Sequence, residues 1–551
     1  MRKRDHLILL TFVLVGTIIL VSNPQAGHNL IFRIPGLDSQ VVFAQQTSDR
    51  PLPLLSDDTL RVELVADTGL KLPTGLTFLD SRGTMIVLEK ESGNAYLVEN
   101  GKVSSAIFHS PVALGQEQGL LSVTSVNEAE LMNVPAQQAD VNKVYVFMYM
   151  TEADSEGRSS GNKIYRFTWD AEDRVLQNKM LILDLPSDPG PSHNGGKLIV
   201  DRHGYLFTVI GDVNRVGSIM QNIVEASTPD DTSVIIRLNL DGSFAKDNPF
   251  TSYGRETLNK YYAYGVRNSF GLSIDPLTGI LWDTENGENT NDEINIVYPG
   301  FNSGWMKIMG PIEETQYSTN DLFTLHGSYY SDPLFTWRIP IGVTDIEFFN
   351  SSVLGDKYAY NIFIGDFNGG SLYFFKPNDE RNGLVLVEHG ELQDKMADNH
   401  DEAELMKLGG FDAGISDLET GPDGYLYVLA MDGRIYRIVP KPSCDVLLAD
   451  PNNENPSADA GEDRFGEPGT KVELDATDSW DPNPDGRIVK YSWIHKSGPM
   501  VEIEGSDTDF ATFTVPNVEE TQQLTIELVV TDDNCAQDSD EIVISINPSQ
   551  E

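Results

Sequence analysis

A two-strand phrase that recurs six times constrains this chain more than any other feature. In each copy a run rich in β-branched and aromatic residues ends at a Gly-, Asn- or Asp-rich turn, and a second alternating run follows. The copies are TMIVLEKESGNAYLVE from residue 84, VYVFMYM from 144 answered by NKIYRFTW from 162, YLFTVIGD from 205 with SVIIRLNLDG from 233, ILWDTENG from 280 with DEINIVYPG from 292, NIFIGDFNGGSLYFFKPN from 361, and YLYVLAMDGRIYRIVP from 425. Three are introduced by related turns, DRHGYL, DPLTGIL and GPDGYL. Starts fall roughly 60 to 80 residues apart, and no long stretch between them shows helical spacing. Such a repeat predicts an all-β, six-bladed propeller over residues 50–440, with four-stranded sheets arranged around a channel. A β-sandwich is the rival, but it seldom needs about 390 residues and would not repeat one phrase.

Beyond Pro440 the composition changes. Residues 441–456 are polar and rich in Pro and Asn, as a linker is. Residues 457–548 read as an independent immunoglobulin-like sandwich, and DATDSWDPNPDGRIVKYSW, FTVP and VVTDDN resemble PKD-type domains. The resemblance implies a spacer or adhesion module with surface glycan contacts, not a catalytic unit.

The N-terminus supplies an address. Arg2, Lys3 and Arg4 precede an apolar run from Leu7 to Val21, which suits a signal peptide over residues 1–45 with cleavage near Val42-Phe43-Ala44. An uncleaved N-terminal anchor is the alternative, and either puts the rest outside the cytoplasm. Acidic residues outnumber basic ones 84 to 39, for a formal charge of −45. That field excludes nucleic acid as a partner, excludes membrane contact beyond such an anchor, and favours divalent cations. The two cysteines, Cys444 and Cys535, flank the C-terminal unit, and a bridge between them is left open.

In a propeller the loops at the channel mouth carry function, and three have unusual content. In PGPSHNGGKLIVD (189–201), small residues crowd His193, and Asp212 lies one strand further on, where it could orient the ring. In YAYGVRNSFGLSID (262–275), Arg267 and Asn268 pair a fixed cation with an amide, which suits an anionic or carbonyl-bearing ligand. DTENGENTNDEIN (283–295) sets Glu288, Asp292 and several amides around Gly287, a hard-oxygen loop of the kind calcium takes. A turn histidine, a blade-bridging arginine and a solvated acidic loop are the structural alternatives.

Together with GQEQGLLSV at 115–123, ENGENTNDEIN at 285–295 and GWM at 304–306, these segments resemble the soluble pyrroloquinoline-quinone (PQQ)-dependent glucose/sorbosone dehydrogenases over roughly residues 60–440. The resemblance implies a six-bladed propeller that oxidises aldose sugars to lactones, with PQQ and Ca2+ as cofactors and an unknown electron acceptor. It implies His193 as general base and Asp212 as its assistant. Glu117, Arg267 and Asn268 become cofactor contacts, Gly287 and Glu288 fall where two backbone carbonyls hold the calcium, and Asp292 belongs to the same loop. At the remaining cofactor positions the chain departs from the family. Asn368 stands where relatives carry a lysine, and Gly414 and Ser416 stand where they carry arginines. PQQ is a tricarboxylate, and each missing charged hydrogen bond costs about 1.5–3 kcal/mol. Two other functions therefore stay open: a non-catalytic carbohydrate- or protein-binding propeller without quinone, and a calcium-dependent lactonase.

Overall fold

The computed structural model describes residues 52–132, 140, 142–226, 228–386, 390–441, 453–483 and 486–548. The N-terminal segment 1–45, Cys444 and most of the linker lie outside the described residues; Cys535 is disulfide-bonded.

Each copy of the repeated phrase forms the second and third strands of one antiparallel sheet, and there are six such sheets. Blade 1 comprises Pro73–Phe78, Met85–Glu89, Asn94–Glu99 and Lys102–His109. Blade 2 comprises Leu120–Asn127, Val144–Ala153, Ser159–Asp170 and Val175–Leu185. Blade 3 comprises Leu198–Val200, Tyr205–Ile210, Val234–Asn239 and Tyr261–Tyr264. Blade 4 comprises Ser269–Ile274, Leu281–Glu285, Asp292–Val297 and Phe335–Trp337, and it gains the short parallel strand Met396–Ala397. Blade 5 comprises Val343–Phe348, Ile362–Asp366, Ser371–Phe375 and Lys407–Gly410.

Blade 6 closes the ring. Its strands Ile415–Thr420, Leu426–Ala430 and Arg434–Pro440 come from the end of the propeller, but its outer strand, Leu60–Asp67, comes from the beginning. Leu60 pairs with Pro440 and Asp67 with Arg434, so the two ends of the repeat array are hydrogen-bonded together. Closure removes the exposed edges that an open sheet would leave.

The first strand of every sheet touches the first strands of both neighbours, which puts these six around the axis. Packing follows the alternation in the phrase. A hydrophobic cluster fills each of the six gaps between adjacent blades, for example Phe147, Ile164, Val234 and Ile236 between blades 2 and 3. Phe78 of blade 1 meets Tyr427 of blade 6 edge-on, with ring centroids 4.9 Å apart. The C-terminal unit has its own core around Trp493 and Phe513. It sits between a four-stranded sheet (Arg464–Gly466, Gln537–Ile546, Gln522–Asp532, Ile488–Ser497) and the pair Lys471–Asp475 and Phe510–Thr514.

Candidate functional site

The six inner strands all begin at one end of the channel, and all six beginnings line one cavity of about 380 Å3: Thr74, Ser122, Lys197, Phe270, Thr344 and Asp417. His193, Glu117, Arg267 and Asn268 open into the same space. Three inter-blade loops thus converge on one volume, although Glu117 and Asn268 are 151 positions apart.

His193 adopts φ of 62°, a left-handed conformation that a residue with a side chain rarely takes. The surrounding contacts hold it there. Its amide and that of Asn194 donate to the Glu117 carboxylate. Its Nδ1 lies 2.6 Å from Asp212 Oδ1, which leaves Nε2 as the ring nitrogen free for a ligand. Asp212 follows Gly211 at the end of the second strand of blade 3. A Cβ on Gly211 would lie 2.3 Å from the Arg267 carbonyl and 2.7 Å from that of His193, so only glycine lets the two functional loops approach this closely. The Asp212 amide completes the tie by donating to Arg267 O at 2.9 Å.

Trp305 joins this group without having been singled out as a site residue in the sequence. Its Nε1 donates to Asp212 Oδ2 at 2.9 Å, and its ring lies 5.4 Å from the Arg267 guanidinium carbon. It therefore links the imidazole–carboxylate pair to the cavity's arginine. Only the GWM fragment pointed towards it, because its partners lie 93 and 38 positions back in the chain.

Arg267 Nη1 donates to the carbonyls of Asn286 and Gly287, both at 2.9 Å. Among the described residues, its Nε and the Asn268 Oδ1 are buried without a hydrogen-bond partner. A ligand carbonyl could accept from the Arg267 Nε–H, and the Asn268 oxygen would need an N–H or O–H donor from the ligand. Asn268 Nδ2 faces both Glu117 oxygens at 3.2 and 3.3 Å, and burial pushes the Glu117 carboxyl above its ordinary range.

Lys197, also unmarked in the sequence, spans the axis. Its Nζ lies 2.6 Å from Asp345 of blade 5 and 2.6 Å from Asp417 of blade 6. Those carboxylates also accept the Leu418 and Leu76 amides, so one ammonium fastens blade 3 to the opposite side of the ring. The two carboxylates hold Lys197 firmly protonated against the effect of its burial.

The remaining expected residues fall elsewhere. Asn368 is exposed, and its side-chain amide donates to the Pro340 carbonyl at 3.5 Å. Ser416 lines the cavity but donates its hydroxyl to Leu429 O at 3.1 Å. At Gly414 a Cβ would come within 2.4 Å of the Phe367 carbonyl, so this backbone leaves no room for a side chain. A quinone therefore fits the cavity by its volume, its apolar lining and its open polar edge, but not through charges at positions 368, 414 and 416.

The oxygen-rich loop does not assemble a side-chain site for a divalent cation. Glu288 is exposed. Asp292 uses one oxygen to accept the Gly287 amide at 2.9 Å and the other to accept Gly342 at 2.7 Å. The Gly287 carbonyl accepts from Arg267 Nη1 at 2.9 Å. Among the described residues no group of three or more His, Cys, Asp or Glu side chains is arranged to hold a metal.

The sequence model of the glucose/sorbosone dehydrogenase family matches residues 70–437, and that of a PKD domain family matches residues 460–546. The chain belongs to the glucose/sorbosone dehydrogenase family. It is 25% identical over 389 residues to the aldose sugar dehydrogenase YliI of Escherichia coli, covering 70% of this chain and 94% of that protein. Over 169 residues it is 30% identical to quinoprotein glucose dehydrogenase B of Acinetobacter calcoaceticus, covering 28% of this chain and 34% of that one. The solved structure of the soluble aldose sugar dehydrogenase from Escherichia coli in its apo form covers 69% of this chain with all of its own length, at 22% identity and a TM-score of 0.52, a likeness of fold.

Proposed function

We propose that the protein oxidises aldose sugars to lactones, using PQQ seated in the channel-mouth cavity and His193 as general base. The observation that carries this reading is the His193–Asp212 pair at 2.6 Å, opening into a cavity where Arg267 Nε and Asn268 Oδ1 stand open. Family membership and the aldose-oxidising and quinoprotein names of two relatives support it.

Bound PQQ would supply a two-electron acceptor for the hydride that leaves the sugar's anomeric carbon. His193 Nε2 takes the proton of the anomeric hydroxyl as the C–O bond becomes a carbonyl. Asp212 accepts a hydrogen bond from Nδ1–H and so stabilises the imidazolium that forms. Arg267 presents its cation to the ligand's carbonyl edge, where negative charge develops during the reaction, and Asn268 Oδ1 is left to accept from a donor of the ligand. Glu117 holds the His193 loop against Asn268, and Leu121, Phe270 and Met431 give the ligand apolar surface. No step here calls on a divalent cation.

Purified protein mixed with PQQ, an aldose and an artificial electron acceptor should reduce the dye only when quinone and sugar are both present. A quinone-free binding propeller, favoured by the uncharged positions 368, 414 and 416, predicts no dye reduction and no quinone binding. Lactone hydrolysis without quinone would favour a lactonase. We also place the protein outside the cytoplasm, on the strength of Arg2, Lys3, Arg4 and the apolar run from Leu7 to Val21. Recovery of the chain from the cytosol with its N-terminus intact would contradict this placement.

A further inference from the structure

The cavity's three cations differ in what neutralises them. Lys197 lies between two carboxylates. Arg267 faces backbone carbonyls. Lys90, immediately after the second strand of blade 1, forms no ion pair among the described residues, yet it lines the cavity. Its Nζ donates to Gln116 O at 2.8 Å and Gly115 O at 3.3 Å. An ammonium has three donors, so one remains for a ligand.

Lys90 is also held in place rather than left mobile. Its amide donates to Leu72 O at 3.2 Å and its carbonyl accepts from Leu120 at 2.9 Å. Gly119, at φ of 146°, lies against it; a Cβ there would come within 2.7 Å of Lys90 Cγ. The bare backbone at Gly119 makes the slot in which the lysine stem rests. Burial lowers the Lys90 pKa, so its charge sits in a partly desolvated place where an anion would be held more strongly than in open water.

Position completes the argument. Lys90 and Arg267 line the same mouth, and neither forms an ion pair among the described residues. The 116–117 loop joins their surroundings, Gln116 O accepting from Lys90 and Glu117 accepting from Asn268, while Leu121, Phe270, Phe367 and Met431 add apolar lining. Such a mouth suits a ligand that brings a carbonyl to Arg267 and a carboxylate to Lys90.

We propose that Lys90 is the anchor for a carboxylate of the bound quinone, so that the charge this chain lacks on blades 5 and 6 is supplied instead from blade 1. The inference rests on the quinone-dependent reading above. The rival role for Lys90 is purely structural: holding the 115–117 loop, and with it Glu117, through the two carbonyls.

The test is an equilibrium titration of PQQ into the full-length apoprotein, followed by quenching of tryptophan fluorescence, for wild type, Lys90→Gln and Lys90→Gln/Ser416→Arg. The trimethyl ester of PQQ, which lacks the charges, serves as the second probe. Lys90→Gln should weaken PQQ binding by about tenfold to a hundredfold, the range of one charged hydrogen bond. It should leave ester binding and the melting temperature of the apoprotein near wild type. Returning a cation to the cavity with Ser416→Arg should recover part of the loss. Equal binding of PQQ by Lys90→Gln and wild type would overturn the proposal. So would an equal loss for acid and ester, which would assign Lys90 to the loop. If wild type binds neither probe, the quinone-dependent reading itself falls.

Discussion

On the wall built by blades 3 and 4, His193, Asp212, Trp305, Arg267 and Asn268 form one connected set of contacts, each side chain held by another or by the backbone beside it. On the wall built by blades 5 and 6, the corresponding positions offer the cavity no charge. Ser416 is bonded to backbone, Asn368 is outside and Gly414 has no room for a side chain. The difference separates two demands. Proton transfer needs atoms at hydrogen-bonding distance, and moving any one of them breaks it. Holding an anion needs only a cation within reach in a partly desolvated place, so the cation can come from another blade.

The largest effect should come from breaking the first wall at its base. His193→Ala should lower kcat/KM for aldose oxidation by about a hundredfold to ten-thousandfold, the span of general-base contributions, with PQQ binding kept. Retained turnover would remove His193 from its role. Next comes the bolt between the walls. Lys197→Ala leaves Asp345 and Asp417 buried without their cation, and urea unfolding should show a loss of about 3–5 kcal/mol. A variant as stable as wild type would show that the inner ring does not depend on this triad.

A smaller effect should sharpen the comparison. Trp305→Phe removes the hydrogen bond to Asp212 but keeps a ring beneath Arg267. It should lower kcat roughly tenfold while leaving quinone affinity unchanged. A change in affinity with kcat intact would place Trp305 with the anchors.

A separate effect concerns pH and involves both walls. Burial raises the carboxyl of Glu285, behind Arg267 and Ser303, to about 7 from 4.5, and does the same to Glu347, which accepts from Thr420 beside Asp417 and Lys197. The folded protein keeps protons that the unfolded chain releases, so their stabilising contribution is full below about pH 4.5 and is lost as pH rises through about 7. The melting temperature should therefore be higher at pH 5 than at pH 8, and Glu347→Gln should flatten part of that slope. A melting temperature that rises over this interval would contradict the assignment.

The ring was legible in the sequence because the second and third strands of each blade are buried on both sides or alternate strongly, and their turns repeat. The other strands were harder to read. Leu198–Val200 has only three residues, and Leu60–Asp67 finds its partner at the far end of the array. His193 and Asp212 were legible for a similar reason, since they lie 19 positions apart in one blade. Lys197 was not, because its meaning depends on Asp417, 220 positions away. Lys90 was not, because an isolated lysine after a strand resembles any surface lysine until Gly119 and the 115–117 loop close around it. The acidic loop suggested a cation site from its composition. In the folded chain the Asp292 oxygens accept backbone amides, and the Gly287 carbonyl faces an arginine.

The most direct test is anaerobic mixing of PQQ-loaded protein with one equivalent of aldose, following the quinone's absorbance and the lactone formed. The account predicts one lactone per quinone reduced in wild type and neither signal in His193→Ala that carries the same amount of PQQ. A wild type that holds PQQ and leaves it oxidised in the presence of aldoses, or a His193→Ala protein that reduces it at the wild-type rate, would contradict the account.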